Sequence, residues 1–133
     1  CDIRVATPRA RFGITPARLG LVYPLHDTRL LVELVGPGQA KRMLYTGMIL
    51  DAEEALAIGL VDAIADSPDV LLTDIVAASP HSHQQTKAIV ARITSGQTDD
   101  DDATRAMFAS AFEGPDFREG VDAFLTKRTP DFG

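Results

Sequence analysis

Apolar and polar residues change their spacing several times along the chain, and each change marks an element. Residues 1–15 carry β-formers at Ile3, Val5, Phe12 and Ile14, which predicts two short strands around a turn at Thr7-Pro8-Arg9. Pro16 closes the second strand. Leu30, Leu31, Leu34 and Val35 then recur at helical spacing. Residues 27–35 therefore read as a helix, with Asp27 or Thr28 at its cap and Gly36-Pro37-Gly38 at its end. Residues 39–45 give a second short helix closed by Gly47. Asp51 caps a third over 52–58, and 60–65 reads as another strand. A short helix over 70–78 precedes one that opens at Ser79-Pro80 and runs to about residue 93. Residues 95–102, with Gly96 and four successive Asp, read as a solvated linker whose charges also favour the start of the next helix. Two more helices, 103–112 and 117–127, are joined at Gly114-Pro115. No repeat with a period of 20–50 residues is present.

Composition narrows the class of protein. A chain of 133 residues with 45% hydrophobic and 24% charged residues can bury a core. The net charge of −6 argues against nucleic acid as a partner, because phosphate-backbone binding requires a basic face. A few local Arg and Lys residues still suffice for a small anionic ligand. Cys1 stands alone, so no internal disulfide forms, which fits a reducing, cytoplasmic setting. No apolar run is long enough to predict a membrane helix, and no secretion leader opens the chain. The chain begins in a strand-like segment without Met, as expected of a fragment, a processed product or a partial chain.

Several strings resemble the crotonase (enoyl-CoA hydratase/isomerase) family in order and spacing. They are Cys1-Asp2-Ile3-Arg4-Val5-Ala6, Ala10-Arg11-Phe12-Gly13, Leu19-Gly20-Leu21, Leu34-Val35-Gly36, Ala40-Lys41 and Leu44-Tyr45-Thr46-Gly47. Asp51-Ala52-Glu53-Glu54-Ala55, Gly59-Leu60-Val61-Asp62 and the run from Arg118 to Arg128 come after them. The resemblance implies an α/β fold: the last part of a crotonase-like ββα spiral over residues 1–78, then a helical C-terminal oligomerisation region over 79–133. It also implies an acyl-CoA substrate, a homo-trimer or hexamer, and no cofactor beyond the coenzyme A carried by the substrate. The family's oxyanion hole and its first glutamate would lie before Cys1.

The family's second glutamate, a proton carrier, is expected just after Phe12-Gly13, where this sequence has Pro16. Proline transfers no proton, so hydration with two glutamates is in doubt. The string from Thr15 to Tyr23 is similar to the matching turn of methylmalonyl-CoA decarboxylases, in which a tyrosine at this offset faces the substrate carboxylate. Tyr23 is therefore a candidate catalytic residue; the alternative is simple packing beside Pro24. His26 is a second candidate, as acid/base or as a group that orients a carboxylate. Asp27 reads more simply as a cap, and Glu33, Glu53 and Glu54 as solvated or capping groups. Lys127 and Phe124 match the family residues that approach coenzyme A, with Arg128 a weaker candidate. His81 and His83 lack the further ligands a metal would need. Cys1 reads as a core residue, and Phe108, Phe112, Phe117, Val121 and Phe124 as core or subunit interface. Three functions stay open: a hydratase or isomerase, an acyl-CoA decarboxylase, or a non-catalytic CoA-binding or oligomerising relative.

Overall fold

The computed structural model describes residues 1–133 as two compact units, Cys1–Pro68 and Asp69–Gly133. The first unit holds four two-residue strands: β1 Val5–Ala6, β2 Phe12–Gly13, β3 Ile49–Leu50 and β4 Ala63–Ile64. It also holds helices α1 Leu25–Thr46 and α2 Ala52–Ala57. The turn at Thr7 forms as expected, closed by the Ala10 N–H on the Thr7 carbonyl at 2.9 Å. The strands on either side of it take different partners. β1 runs parallel to β4 in the register Val5↔Ala63, and β2 runs antiparallel to β3 in the register Phe12↔Leu50.

Arg4 fixes the first pairing from outside the strand. Its backbone N–H and its Nη2 donate to the two carboxylate oxygens of Asp62 at 2.7 and 2.9 Å, and its Nε donates to the Leu60 carbonyl at 2.8 Å. A bidentate, charge-assisted contact of this kind sets geometry as well as energy. The second pairing rests on Leu50, fully buried with Leu31, Ala40 and Met43 while Phe12 and Ile14 pack against the cluster. β3 escaped the sequence pattern because two residues between Gly47 and the Asp51 cap show no alternation.

α1 is two helices in one. Gly36 adopts φ 75° and ψ 162°, outside the helical region, and Pro37 comes next. Glycine reaches positive φ at no steric cost, and proline suits the first turn of a new helix. The break expected at Gly36-Pro37-Gly38 is therefore present. The start differs: Pro24 occupies the cap, and Asp27 sits inside the first turn, where an acid complements the helix dipole. α2 begins with a capping box. Asp51 accepts from the Glu54 N–H at 2.9 Å, and the Glu54 side chain accepts from the Asp51 N–H at 3.1 Å. Cys1, read from sequence as a core residue, is exposed, because no element packs over the start of the chain in this unit.

The second unit is helical: α3 Asp69–Val76, α4 Pro80–Thr94, α5 Asp102–Glu113 and α6 Pro115–Thr126. Ser79 caps α4, accepting from the Ser82 N–H at 3.0 Å. The acidic run is exposed and lies outside regular structure up to Asp101, as expected of a solvated linker, and three of its four residues also serve the start of α5. Asp101 accepts from the Thr104 N–H at 2.8 Å, and Asp100 accepts from the Thr104 hydroxyl at 2.7 Å. Asp102 pairs with Arg105 at 2.8 Å. The backbone N–H of Thr104, with the charge of Arg92 at 3.1 Å, holds the Asp101 carboxyl below the usual range. Phe108, Phe112 and Phe117 form an edge-to-face series with centroids 5.1 and 5.2 Å apart.

Candidate functional site

The first candidate region is the path from β2 to α1. Gly13 at its start leaves room for Ile49: a Cβ there would lie 2.3 Å from Ile49 Cδ1 and 3.2 Å from the Met48 carbonyl, so that side chain would have to shift. Pro16–Leu19 then forms a 3-10 turn, where a strand end alone was expected. Pro16 takes the first position of that turn, where its fixed φ fits and no N–H is missed. It is buried, and its carbonyl accepts from the Leu21 N–H at 2.9 Å. The position expected for a proton-carrying glutamate thus holds a ring that supports the turn. Arg18 lays its stem across Gly47, whose added Cβ would meet Arg18 Cγ and Nε at 3.0 Å. Gly47 ends α1 in the left-handed conformation, φ 58°, which places a cation near the carbonyl end of that helix.

Beyond the turn the chain becomes apolar and faces outward. Val22 is 94% exposed, and Leu19, Leu21 and Leu25 are exposed with it. Tyr23, 43% exposed, projects from this stretch with no hydrogen bond to its hydroxyl, and His26 is exposed and unpaired in the first turn of α1. The structure therefore brings Tyr23 and His26 onto one open segment. Asp27 lies beside His26 in the same turn and is exposed, whereas Glu33, further along α1, pairs with Arg29 at 3.5 Å.

The second candidate region closes α6. Phe124 is 83% exposed on its last turn, and Lys127 sits at the cap, exposed and unpaired. Both belong to the helical unit, whereas Tyr23 and His26 belong to the other. Beside Phe124 lies a cavity of about 370 Å³ lined by apolar groups with Ser79, His81 and Asp116 among them. The Ser79 hydroxyl donates to Asp116 Oδ2 at 2.5 Å, tying the start of α4 to the start of α6. His81 Nε2 is buried there without a hydrogen-bond partner. Sequence reasoning placed Ser79 at the opening of the helix but not its contact with Asp116, since nothing local links residues so far apart.

The model of the enoyl-CoA hydratase/isomerase family matches residues 1–133. The chain belongs to the enoyl-CoA hydratase/isomerase family. It is similar to the crotonyl-CoA hydratase of Syntrophomonas wolfei, 35% identical over 140 residues that cover 99% of this chain and 54% of that protein. The 2,3-dehydroadipyl-CoA hydratase of Escherichia coli is 31% identical over 139 residues, again 99% of this chain and 54% of that protein. Among solved structures, an enoyl-CoA hydratase/isomerase family protein from Hyphomonas neptunium superposes with a TM-score of 0.88 at 40% identity, covering 100% of this chain and 53% of that one. The chain therefore spans about half the length of the curated relatives it matches, and the likeness is to the C-terminal half of the crotonase fold. The family's α/β character appears in this half as small sheets among predominant helices. No helix is long and apolar enough to cross a membrane.

Proposed function

We propose that this chain forms the C-terminal half of an enzyme that acts on an acyl-CoA thioester through an enolate. The observation that carries this reading is the family match over residues 1–133, among relatives named for hydrating CoA thioesters. Two backbone N–H groups from outside the chain hold the thioester oxygen as it gains charge, a device worth about 3 kcal/mol per donor. Tyr23 and His26 face the acyl end. Lys127 and Phe124 hold the coenzyme A carrier, the ammonium against a phosphate and the ring against an apolar or aromatic part. The apolar side chains exposed on α5 and α6 pack against further subunits of a trimer or hexamer. Coenzyme A enters as part of the substrate, and the chain works without another cofactor.

Hydration adds a hydroxyl to the β-carbon and a proton to the α-carbon, so it needs a proton carrier. Pro16 supplies none, and this favours a second reading in which the enzyme is a decarboxylase. There the bond from the α-carbon to a carboxylate breaks, the electron pair passes into the thioester as an enolate, and CO2 leaves. A proton from solvent water completes the reaction at the α-carbon, so no carboxylic acid of the protein is required for it. The step needs oxyanion stabilisation and a hydrogen-bonding neighbour rather than two ionised glutamates. The unpaired hydroxyl of Tyr23 suits that task. Tyr23→Phe, in protein expressed from the complete reading frame, separates the two readings. A decarboxylase loses most of its turnover, whereas a hydratase is little changed. If decarboxylation proceeds unaltered, Tyr23 is structural and the second reading loses its support.

A further inference from the structure

Lys127 is the one non-glycine residue of the chain with positive φ, at 56° with ψ 39°. An L-residue in this region brings its Cβ against the backbone, and helix ends usually place glycine there. The helix end itself is well formed: the Arg128 N–H donates to the Ala123 carbonyl at 3.0 Å and the Lys127 N–H to the Phe124 carbonyl at 3.3 Å. The segment after Lys127 is tied down by the next side chain. Arg128 reaches back along α6 and donates to both carboxylate oxygens of Glu119, with Nη2 to Oε2 at 2.8 Å, and to Asp122 Oδ2 at 2.6 Å. Glu119 also accepts the Asp131 N–H at 2.7 Å. The chain on the far side of Lys127 is thus held to one face of α6 at residues 128 and 131.

The same contacts engage carboxylates of α6, while the Asp131 carboxylate accepts the Gly133 N–H at 3.2 Å. Glu119 and Asp122 are the carboxylates nearest in sequence on α6, and both are taken up by Arg128. Asp116, at the other end of the helix, holds Ser79. Lys127 is left as a cation with no ion pair, on a fixed bend, beside the exposed Phe124 ring.

We propose that Glu119 and Asp122, acting through Arg128, are positioning residues that hold Lys127 in its left-handed geometry and keep its ammonium free for an anionic group of the thioester carrier. This rests on the proposed role of Lys127 as the carrier's cation and adds the device that presents it. Arg128 is spent on the clamp and does not itself touch the ligand.

The test measures calorimetric dissociation constants of free coenzyme A and of pantetheine, which lacks the phosphates, on protein from the complete reading frame. The variants are Lys127→Ala, Glu119→Gln, Arg128→Ala and the double variant Lys127→Ala/Arg128→Ala, each checked for an unchanged fold by circular dichroism. Lys127→Ala is expected to weaken coenzyme A roughly fivefold and leave pantetheine unchanged. Glu119→Gln and Arg128→Ala weaken coenzyme A in the same selective way, and the double variant is no weaker than Lys127→Ala alone. Loss of affinity in Lys127→Ala but not in Glu119→Gln or Arg128→Ala overturns the clamp and leaves the Lys127 reading standing. Additive losses in the double variant also overturn it, because Arg128 would then act on the ligand directly. No loss in Lys127→Ala removes the Lys127 reading and the clamp with it. A variant that fails to fold is replaced by Asp122→Asn, which loosens the same clamp by one bond.

Discussion

Replacing Lys127 by glycine should move stability and ligand affinity in opposite directions. At φ 56° and ψ 39° the lysine carries the steric cost of a left-handed L-residue. That cost is about 1–2 kcal/mol, and glycine would escape it. Glycine also gives the unfolded chain more freedom, which removes roughly 0.5–1 kcal/mol of the gain. The net stabilisation is about 0–1.5 kcal/mol, which in a domain of roughly 150–250 residues raises Tm by up to about 6 °C. The ammonium is lost in the same step. Because Lys127 is exposed, solvent screens its contact with a phosphate, and the loss is about 1 kcal/mol, or roughly fivefold in KM for a coenzyme A thioester. Thermal unfolding followed by circular dichroism reads the first effect, and initial rates against coenzyme A and pantetheine thioesters read the second. Lys127→Asn, which also tolerates positive φ, should behave alike. A fall in Tm would mean that the left-handed residue carries no strain, and an equal KM for both thioester types would mean that Lys127 meets no phosphate.

Leu50→Ala should destabilise by about 2–5 kcal/mol, because Leu50 is fully buried and its loss leaves a cavity under the β2–β3 pair. Leu50→Met, which keeps the volume, should cost under about 1.5 kcal/mol in urea unfolding, and equal costs for the two would refute the packing argument. The hydrogen bonds from Arg128, then the Asp131 N–H, hold the Glu119 carboxyl down at about 2, against an ordinary value of 4.5. A carboxyl whose folded pKa is lowered stabilises above its unfolded pKa and loses that contribution as pH falls through the folded one. Wild type should therefore lose stability relative to Glu119→Gln as pH drops from about 4.5 towards 2. A difference in Tm that stays constant across that range would contradict the clamp's ionic character.

The helices were legible in the sequence because their stop and start signals are local. Gly36-Pro37, Asp51 with Glu54, Ser79-Pro80 and Gly114-Pro115 each satisfy or interrupt backbone bonding within a few residues. The strands were legible only in part. Val5 and Phe12 announce extended chain, but their partners Ala63 and Leu50 lie far along the sequence, and no local pattern encodes that pairing. The acidic run was legible as exposed charge ahead of a helix. Its four Asp are exposed, and only their individual partners, Thr104 and Arg105, were not specified by the composition of the run. Of the candidate site, Pro16 spoke clearly because a ring at a place expected to transfer protons changes the chemistry. The Arg128 clamp did not, since Glu119, Asp122 and Arg128 look like ordinary surface charges until the chain bends at Lys127. Family strings supplied the rest, above all the run from Arg118 to Arg128, within a likeness that extends over the whole chain.

The central claim is that this half-fold serves thioester chemistry without the proton-carrying glutamate at position 16. The direct measurement is product mass after incubating protein from the complete reading frame with 2-enoyl-CoA and malonyl-type CoA thioesters. Turnover of a CoA thioester is the predicted result, with loss of CO2 from the malonyl type as the outcome that Pro16 and Tyr23 favour. Gain of water by the enoyl substrate would keep the thioester chemistry and assign the proton to a group other than residue 16. Binding of coenzyme A with no change in the mass of either substrate would contradict the claim and leave a non-catalytic member of the family.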